Sequence, residues 1–94
     1  MTPEGRVKAK LKKYLDAKSF YHYWPVPTGF GSITVDCIAC DKGQFIAIEC
    51  KREGITKPTA HQAATLRRMR CAGALTYLVT MKDGELVWLK QKDE

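Results

Sequence analysis

Two short turns, each closed by a glycine, divide the apolar part of this 94-residue chain into pairs of strand-like segments. The turns are Asp41-Lys42-Gly43 and Lys82-Asp83-Gly84, and glycine allows the positive φ that a tight hairpin needs. The segments that they join are rich in apolar and β-branched residues: 33–40 with 44–50, and 74–80 with 85–90. The chain is therefore predicted to build a sheet around two hairpins.

A helix is predicted at the N-terminus. Thr2-Pro3-Glu4 combines a capping hydroxyl, a proline at the first helical position and an acid in the first turn. Apolar residues follow at helical spacing: Val7, Leu11, Tyr14 and Leu15. One turn before Val7 this stripe reaches Glu4, so the acid is predicted on the core-facing side of the helix. The alternative is a surface acid that favours the helix dipole.

A second helix is predicted after the loop at 52–58. Thr59 and Gln62 match a capping box, and Gly73 is a plausible helix stop. With a short aromatic strand at 20–24, the element order becomes αβββαββ. This order predicts an α/β or α+β sheet of about five strands. A length of 94 residues allows one domain, which is expected to span residues 1–94.

The chain is basic, with a net charge of +6 from sixteen Lys and Arg against ten acids. This excess indicates a polyanionic partner such as nucleic acid, or else a surplus of charge that serves solubility. The sequence shows no signal peptide and no apolar run of membrane length, so no membrane association and a cytoplasmic location are expected.

The chain has four cysteines, and two of them, Cys37 and Cys40, have C-x-x-C spacing. They fall inside a strand-like segment, where a period of two turns their side chains to opposite faces. No second ligand pair has matching spacing, so reduced, partly buried thiols are preferred over a zinc site. Reduced cysteines also fit the cytoplasm.

Charged residues gather where the strand at 44–50 ends, in the stretch FIAIECKREG. Folding the first hairpin brings Asp36 opposite or diagonal to Glu49, and Lys51 shares the face of Glu49. Two facing acids favour a hard divalent cation such as Mg²⁺, and the backbone carbonyl of Cys50 is a further oxygen ligand at this point. Lys51 is then positioned to hold water or to stabilise phosphate charge. The alternative is a surface salt bridge.

Asp36, the hairpin and Glu49-Cys50-Lys51 resemble the motif of the PD-(D/E)XK nucleases, although Val35 replaces the usual proline before the aspartate. GQFIAIECKREG followed by KPTAHQAATLRRMRCAGA resembles the VRR-NUC family of that superfamily, over about residues 31–80. The resemblance implies a restriction-endonuclease-like αβββαβ core, with a central mixed sheet flanked by two helices. It also implies the stand-alone form that bacteria and phages carry, and thus the cytoplasm of a bacterial cell or of a phage-infected host.

The same resemblance implies a metal-dependent phosphodiesterase that uses Mg²⁺ or Mn²⁺. Asp36, Glu49 and the Cys50 carbonyl would bind the ion, and Lys51 would assist the attacking water. Glu4, directly or through water, and Gln62 would complete the site. For Gln62 the capping box is an equal explanation, and the two roles are compatible. Similar stand-alone members look like homodimers that act on branched DNA such as four-way junctions.

Candidate DNA contacts are basic or aromatic side chains on the two helices and in the loops. They are Arg52, Arg67, Arg68, Arg70, Lys8, Lys12, Phe30 and His61. Such contacts with phosphate position a duplex without reading its sequence. Solvated helix faces and core packing of Phe30 are the alternatives. Four further aromatic residues are predicted in the core or at a dimer interface: Trp24, Phe45, Tyr77 and Trp88.

Two other classes of function are consistent with the composition. One is a non-catalytic DNA-binding module that retains a nuclease-like fold. The other is a small interaction protein whose acids form a solvated edge. The nuclease is favoured because two acids are predicted to face each other on neighbouring strands. Like charges in such positions destabilise a sheet unless a cation lies between them.

Overall fold

The computed structural model describes residues 1–26 and 34–92. The elements in chain order are α1 (Pro3–Ala17), β1 (Tyr21–Tyr23), β2 (Cys37–Asp41), β3 (Gln44–Cys50), α2 (Ala60–Cys71), β4 (Leu75–Lys82) and β5 (Glu85–Lys90). This is the predicted order αβββαββ. Phe30 and most of the glycine-rich loop lie outside the described residues, so the prediction of a DNA contact at Phe30 stays a prediction.

The five strands form one sheet in the order β1-β2-β3-β4-β5. β3 and β4 run parallel and every other neighbouring pair is antiparallel, so the sheet is mixed, as predicted. α2 connects the two parallel strands, because a parallel pair needs a crossover that a short turn cannot supply.

The helices cover opposite faces of the sheet. Three fully buried residues of α1, Val7, Leu11 and Leu15, pack with alternate residues of the strands, among them Ile46 and Ile48. Leu66 of α2 packs instead with Ala47 and Val35. Since successive strand residues point to opposite faces, burial of Ala47 between Ile46 and Ile48 requires a helix on each side.

The hairpin turns have the same backbone geometry. Lys42 and Gly43 have φ values of 50° and 86°, and Asp83 and Gly84 have 52° and 80°. Positive φ at both central residues is the turn geometry that matches the twist of antiparallel strands. Both predicted turns are therefore confirmed.

Both predicted helix starts are also confirmed. The Thr2 hydroxyl accepts a hydrogen bond from the amide of Gly5, and Thr59 and Gln62 form both bonds of a capping box. α2 ends at Cys71, two residues before Gly73, which has a φ of 109°.

The predicted strand at 33–40 was too long, because β2 begins only at Cys37. Val35 turns into the core under α2, and the Asp36 carboxylate accepts the backbone N–H of Cys50. A side chain thus takes the place of a backbone acceptor, and the ladder between β2 and β3 stops one residue short of Asp36.

The predicted core aromatics divide into two groups. Trp24, Tyr77 and Trp88 pack against the core cluster under α1, and the Trp88 ring lies 5.4 Å from Tyr77 and 5.5 Å from Tyr14. Phe45 is 43% exposed and is not a core residue, so its place at a dimer interface stays a prediction. In the part of the chain that the structure describes, no helix is both long enough and apolar enough to cross a bilayer.

Candidate active site

Two carboxyl groups meet where β3 ends. Cys37 pairs with Ile48, so the next opposing positions are Asp36 and Glu49. The Asp36 Oδ2 atom accepts the Cys50 N–H at 2.8 Å, which draws the carboxylate against the end of β3. The two side chains are close enough to hydrogen-bond to each other. The structure therefore brings Asp36 and Glu49 together at the end of β3.

Glu49 is buried although it is an acid, with only 2% of its surface exposed. Burial, followed by the charge of Asp36 and the hydrogen bond with it, raises the pKa of Glu49 to about 8. The Lys51 ammonium acts in the opposite direction and lowers this pKa, and Glu4 adds a smaller increase. Two facing carboxyls can share one proton, but they cannot both ionise cheaply without a cation.

Lys51 lies immediately beyond β3 and is half-buried. Its backbone N–H donates to the carbonyl of Val79 at 2.9 Å, which extends the pairing with β4 by one residue. The period of two then directs its side chain to the face of Glu49, and its charge acts on the Glu49 carboxyl. Asp36, Glu49 and Lys51 thus lie together, as the sequence indicated.

Glu4 reaches this group from α1 through Lys8. The Lys8 Nζ atom lies 3.4 Å from a Glu4 carboxylate oxygen and 3.6 Å from Asp36 Oδ1. Partial burial acts to lower the pKa of Lys8, but the charges of Asp36 and Glu4 outweigh it and raise that pKa. Lys8 therefore remains an ammonium group between two carboxylates.

The sequence pointed to Lys8 as a phosphate contact on a solvated face, and its place beside Asp36 was missed. The available signal was its spacing of four residues from Glu4, which puts both on one side of α1. Nothing local indicates the contact with Asp36, since that residue lies 28 positions further along the chain.

The donor atoms at this point suit a hard cation. Asp36 and Glu49 supply carboxylate oxygens, and Mg²⁺ is commonly bound by one or two carboxylates with water in the remaining positions. The Cys50 N–H points toward Asp36, and in an extended strand the carbonyl of the same residue points to the same side. Within residues 1–26 and 34–92 no three His, Cys, Asp or Glu side chains form a ready metal cluster. The fit therefore rests on two side chains and one carbonyl.

Thiols do not contribute to the site. All four cysteines are free, and Cys37 and Cys50 are buried in the core under α1. Burial and the charge of Asp36 raise the pKa of Cys37 to about 12, and the pKa of Cys50 is raised by the same causes. Neutral thiols are poor metal ligands and poor nucleophiles, which agrees with the prediction of reduced, structural cysteines.

Gln62 closes the capping box of α2. Its Oε1 atom accepts the backbone N–H of Thr59 at 3.0 Å, and its own N–H donates to Thr59 Oγ1 at 3.2 Å. This contact satisfies amides at the helix start. The structural explanation for Gln62 is thus observed, and a catalytic role remains a prediction.

The predicted DNA contacts occupy different environments. Lys12 Nζ lies 4.9 Å from the centre of the Trp24 ring. Arg70 is half-buried and donates to Thr76 Oγ1 at 3.1 Å, which links α2 to β4. The remaining candidates have exposed side chains: Arg52, His61, Arg67 and Arg68.

Among solved structures, the fold is found in Hjc, a Holliday junction resolvase from the archaeal hyperthermophile Archaeoglobus fulgidus. The two share 20% sequence identity with a TM-score of 0.74, over 92% of this chain and 75% of the Hjc chain. No protein-family model and no curated protein matches the sequence. The predicted restriction-endonuclease-like fold is therefore confirmed, while membership of the VRR-NUC family stays a prediction.

Proposed function

We propose that this protein is a divalent-metal-dependent endonuclease that hydrolyses phosphodiester bonds in structured DNA. Four-way junctions are the proposed substrate, and the chain is proposed to act as a homodimer in the cytoplasm. The VRR-NUC family is the proposed assignment within the PD-(D/E)XK superfamily. The likeness to Hjc supports the fold on which this proposal rests, and the choice of substrate is motivated by Hjc being a Holliday junction resolvase.

One observation carries the proposal: the buried carboxyl of Glu49 faces the carboxyl of Asp36. Such a pair lowers the stability of a domain with a small core, since burial and mutual repulsion both disfavour the charged forms. A divalent cation reverses this effect, because it attracts both carboxylates at once. A site that costs stability without the ion and binds it with hard oxygen donors is typical of catalytic metal centres.

The roles of the residues follow from their positions. Asp36, Glu49 and the Cys50 carbonyl would hold Mg²⁺ or Mn²⁺, which supplies Lewis-acid stabilisation of phosphate charge and lowers the pKa of a bound water. Lys51, beside Glu49, is placed to orient the attacking water and to stabilise the charge that develops on the phosphate. Glu4 adds negative charge from α1.

The charge of the chain supports a DNA substrate. A net charge of +6 remains after the acids of the site are counted, and Arg52 follows Lys51 directly at the exit of β3. Arg67 and Arg68 are exposed on α2. Contacts from these residues to phosphates would hold DNA in a salt-dependent manner and without sequence preference.

The test is cleavage of labelled four-way, flap and duplex DNAs in Mg²⁺ or Mn²⁺. Asp36→Asn and Lys51→Met are each expected to lower the rate by about a hundredfold or more, which is the usual loss when one group that stabilises transition-state charge is removed. Asp41→Asn at the other end of β2 and Lys90→Met on β5 are matched controls that should retain the rate.

Metal-dependent cleavage that survives both site substitutions would exclude this centre. Salt-dependent DNA binding without cleavage by the wild-type protein, and without binding of divalent ions, would instead identify a non-catalytic module with a nuclease-like fold. Preference for the four-way DNA over the flap and the duplex decides the substrate class.

A further inference from the structure

Lys8 is placed against the acid site by contacts from two separate parts of the chain. Its Nζ atom lies 3.4 Å from the Glu4 carboxylate, one helical turn away, and 3.6 Å from the carboxylate of Asp36, which precedes β2. The Lys8 side chain is 33% exposed and that of Asp36 is 26% exposed. A pair four residues apart on a helix is common on protein surfaces, but the second partner makes Lys8 part of the site.

The charges explain why an ammonium group is held there. Asp36 also accepts the N–H of Cys50 and lies beside Glu49, so the end of β3 has a negative field to which both acids belong. One cation within about 4 Å of both Asp36 and Glu4 offsets part of that field. The stem of Lys8 extends from α1, whose neighbouring residue Val7 is fully buried, so the ammonium has a fixed point of attachment.

We infer that Lys8 is a built-in competitor for the cation position, and that a divalent ion must displace its ammonium from Asp36 and Glu4. The inference rests on the proposed metal centre and concerns what controls its affinity. An ammonium group has a single charge, whereas a divalent ion has two and can approach both Asp36 and Glu49. Lys8 therefore weakens the binding of any cation, and only an ion whose attraction to the acids exceeds the cost of displacing the ammonium will bind.

A second consequence concerns stability. Lys8 supplies a counter-charge to Asp36 in the protein before a divalent ion binds, and removal of this charge leaves the Asp36–Glu49 repulsion less compensated. A substitution that removes the charge of Lys8 should therefore lower the melting temperature in a chelator and should also strengthen metal binding. If Lys8 served only to hold α1 on the sheet, its substitution would lower the melting temperature but would not strengthen metal binding.

The test is calorimetric titration of the full chain with Mn²⁺ alone, compared between the wild type and Lys8→Met. Methionine keeps the length of the apolar stem and removes the charge. The Mn²⁺ dissociation constant is expected to fall by about tenfold, which is the size expected for two partly exposed ion pairs. Lys8→Arg, which keeps the charge, and Lys13→Met, which removes a charge from an exposed position of α1, should both bind Mn²⁺ as the wild type does.

The melting temperature supplies the second measurement. Lys8→Met should melt a few degrees below the wild type in a chelator and should gain more than the wild type from saturating Mn²⁺. Lys8→Gln provides the same comparison if the methionine variant does not fold. An unchanged Mn²⁺ affinity in a folded neutral variant overturns the role of Lys8 and leaves the metal centre standing. Failure of the wild type and of the variants to bind Mn²⁺ overturns both.

Discussion

Glu49 on β3 and Leu78 on β4 are partners in the parallel pairing, and both are buried on the face covered by α2. Leu78 is fully buried and Glu49 is 2% exposed, so the fold gives the two positions nearly the same environment. A buried position favours an apolar residue such as Leu78 and disfavours an acid such as Glu49. The contrast shows that Glu49 occupies a position suited to an apolar residue, which is the feature that the proposed metal site would explain.

The two hairpins repeat this contrast on a larger scale. The pairing of β4 with β5 runs without interruption from the turn to Tyr77 opposite Lys90. The pairing of β2 with β3 starts from a turn of the same geometry, but it stops at Cys37, where Asp36 takes up the backbone N–H of Cys50. The regular hairpin supplies structure, and the interrupted one supplies the acids.

The largest effect on stability is expected at Leu78. Leu78→Ala removes a fully buried side chain and leaves a cavity, so the free energy of unfolding should fall by about 3 kcal/mol. Glu49→Leu places an apolar side chain in the neighbouring position and should raise the free energy of unfolding in a chelator. Urea denaturation of both variants measures the two changes. If Glu49→Leu also lowered the free energy of unfolding, Glu49 would not cost stability.

The next effect is the pH dependence of stability in a chelator. The pKa of Glu49 is about 8 in the folded protein against an ordinary value of 4.5, so between these values the folded state binds more protons than the unfolded state. The contribution of the Glu49 proton to stability is therefore complete below pH 4.5 and is lost as the pH rises through 8.

Glu49→Gln should remove this part of the pH dependence. Its melting temperature is expected to exceed that of the wild type by about 5 °C at alkaline pH and to approach it at acidic pH. Glu85→Gln, an exposed position at the start of β5, should leave the wild-type profile unchanged. Parallel profiles for the wild type and Glu49→Gln would contradict the raised pKa.

The smallest effect concerns the two hairpin turns, and it tests whether turns of the same geometry contribute equally to stability. Gly43 and Gly84 have φ values of 86° and 80°, and a Cβ atom at either would meet no other atom within 4 Å. Alanine at each position therefore meets backbone strain alone and should cost about 1 kcal/mol. Thermal unfolding should give equal losses for Gly43→Ala and Gly84→Ala. A much larger loss at Gly43 would show that the first turn also sets the register of the acids.

Much of this architecture could be predicted from local signals. Thr2 and Thr59 cap the helices, and the two glycine turns close the hairpins, because each depends on residues within a few positions of one another. The proximity of Asp36 and Glu49 could also be predicted. The hairpin turn and the two-residue period of strand side chains are enough to place them at opposing positions. The start of β2 could not, because it depends on Val35 packing under a helix that comes later in the chain.

By itself the sequence determined the element order, the turns, the caps and the acid pair, since these follow from short-range backbone preferences and strand periodicity. The tertiary structure alone decided that Glu49 is buried beside Leu78 and that Lys8 lies against Asp36. Burial and the distances between charges on separate segments arise only when α1, the sheet and α2 pack together. The electrostatics of the site are therefore properties of the folded chain.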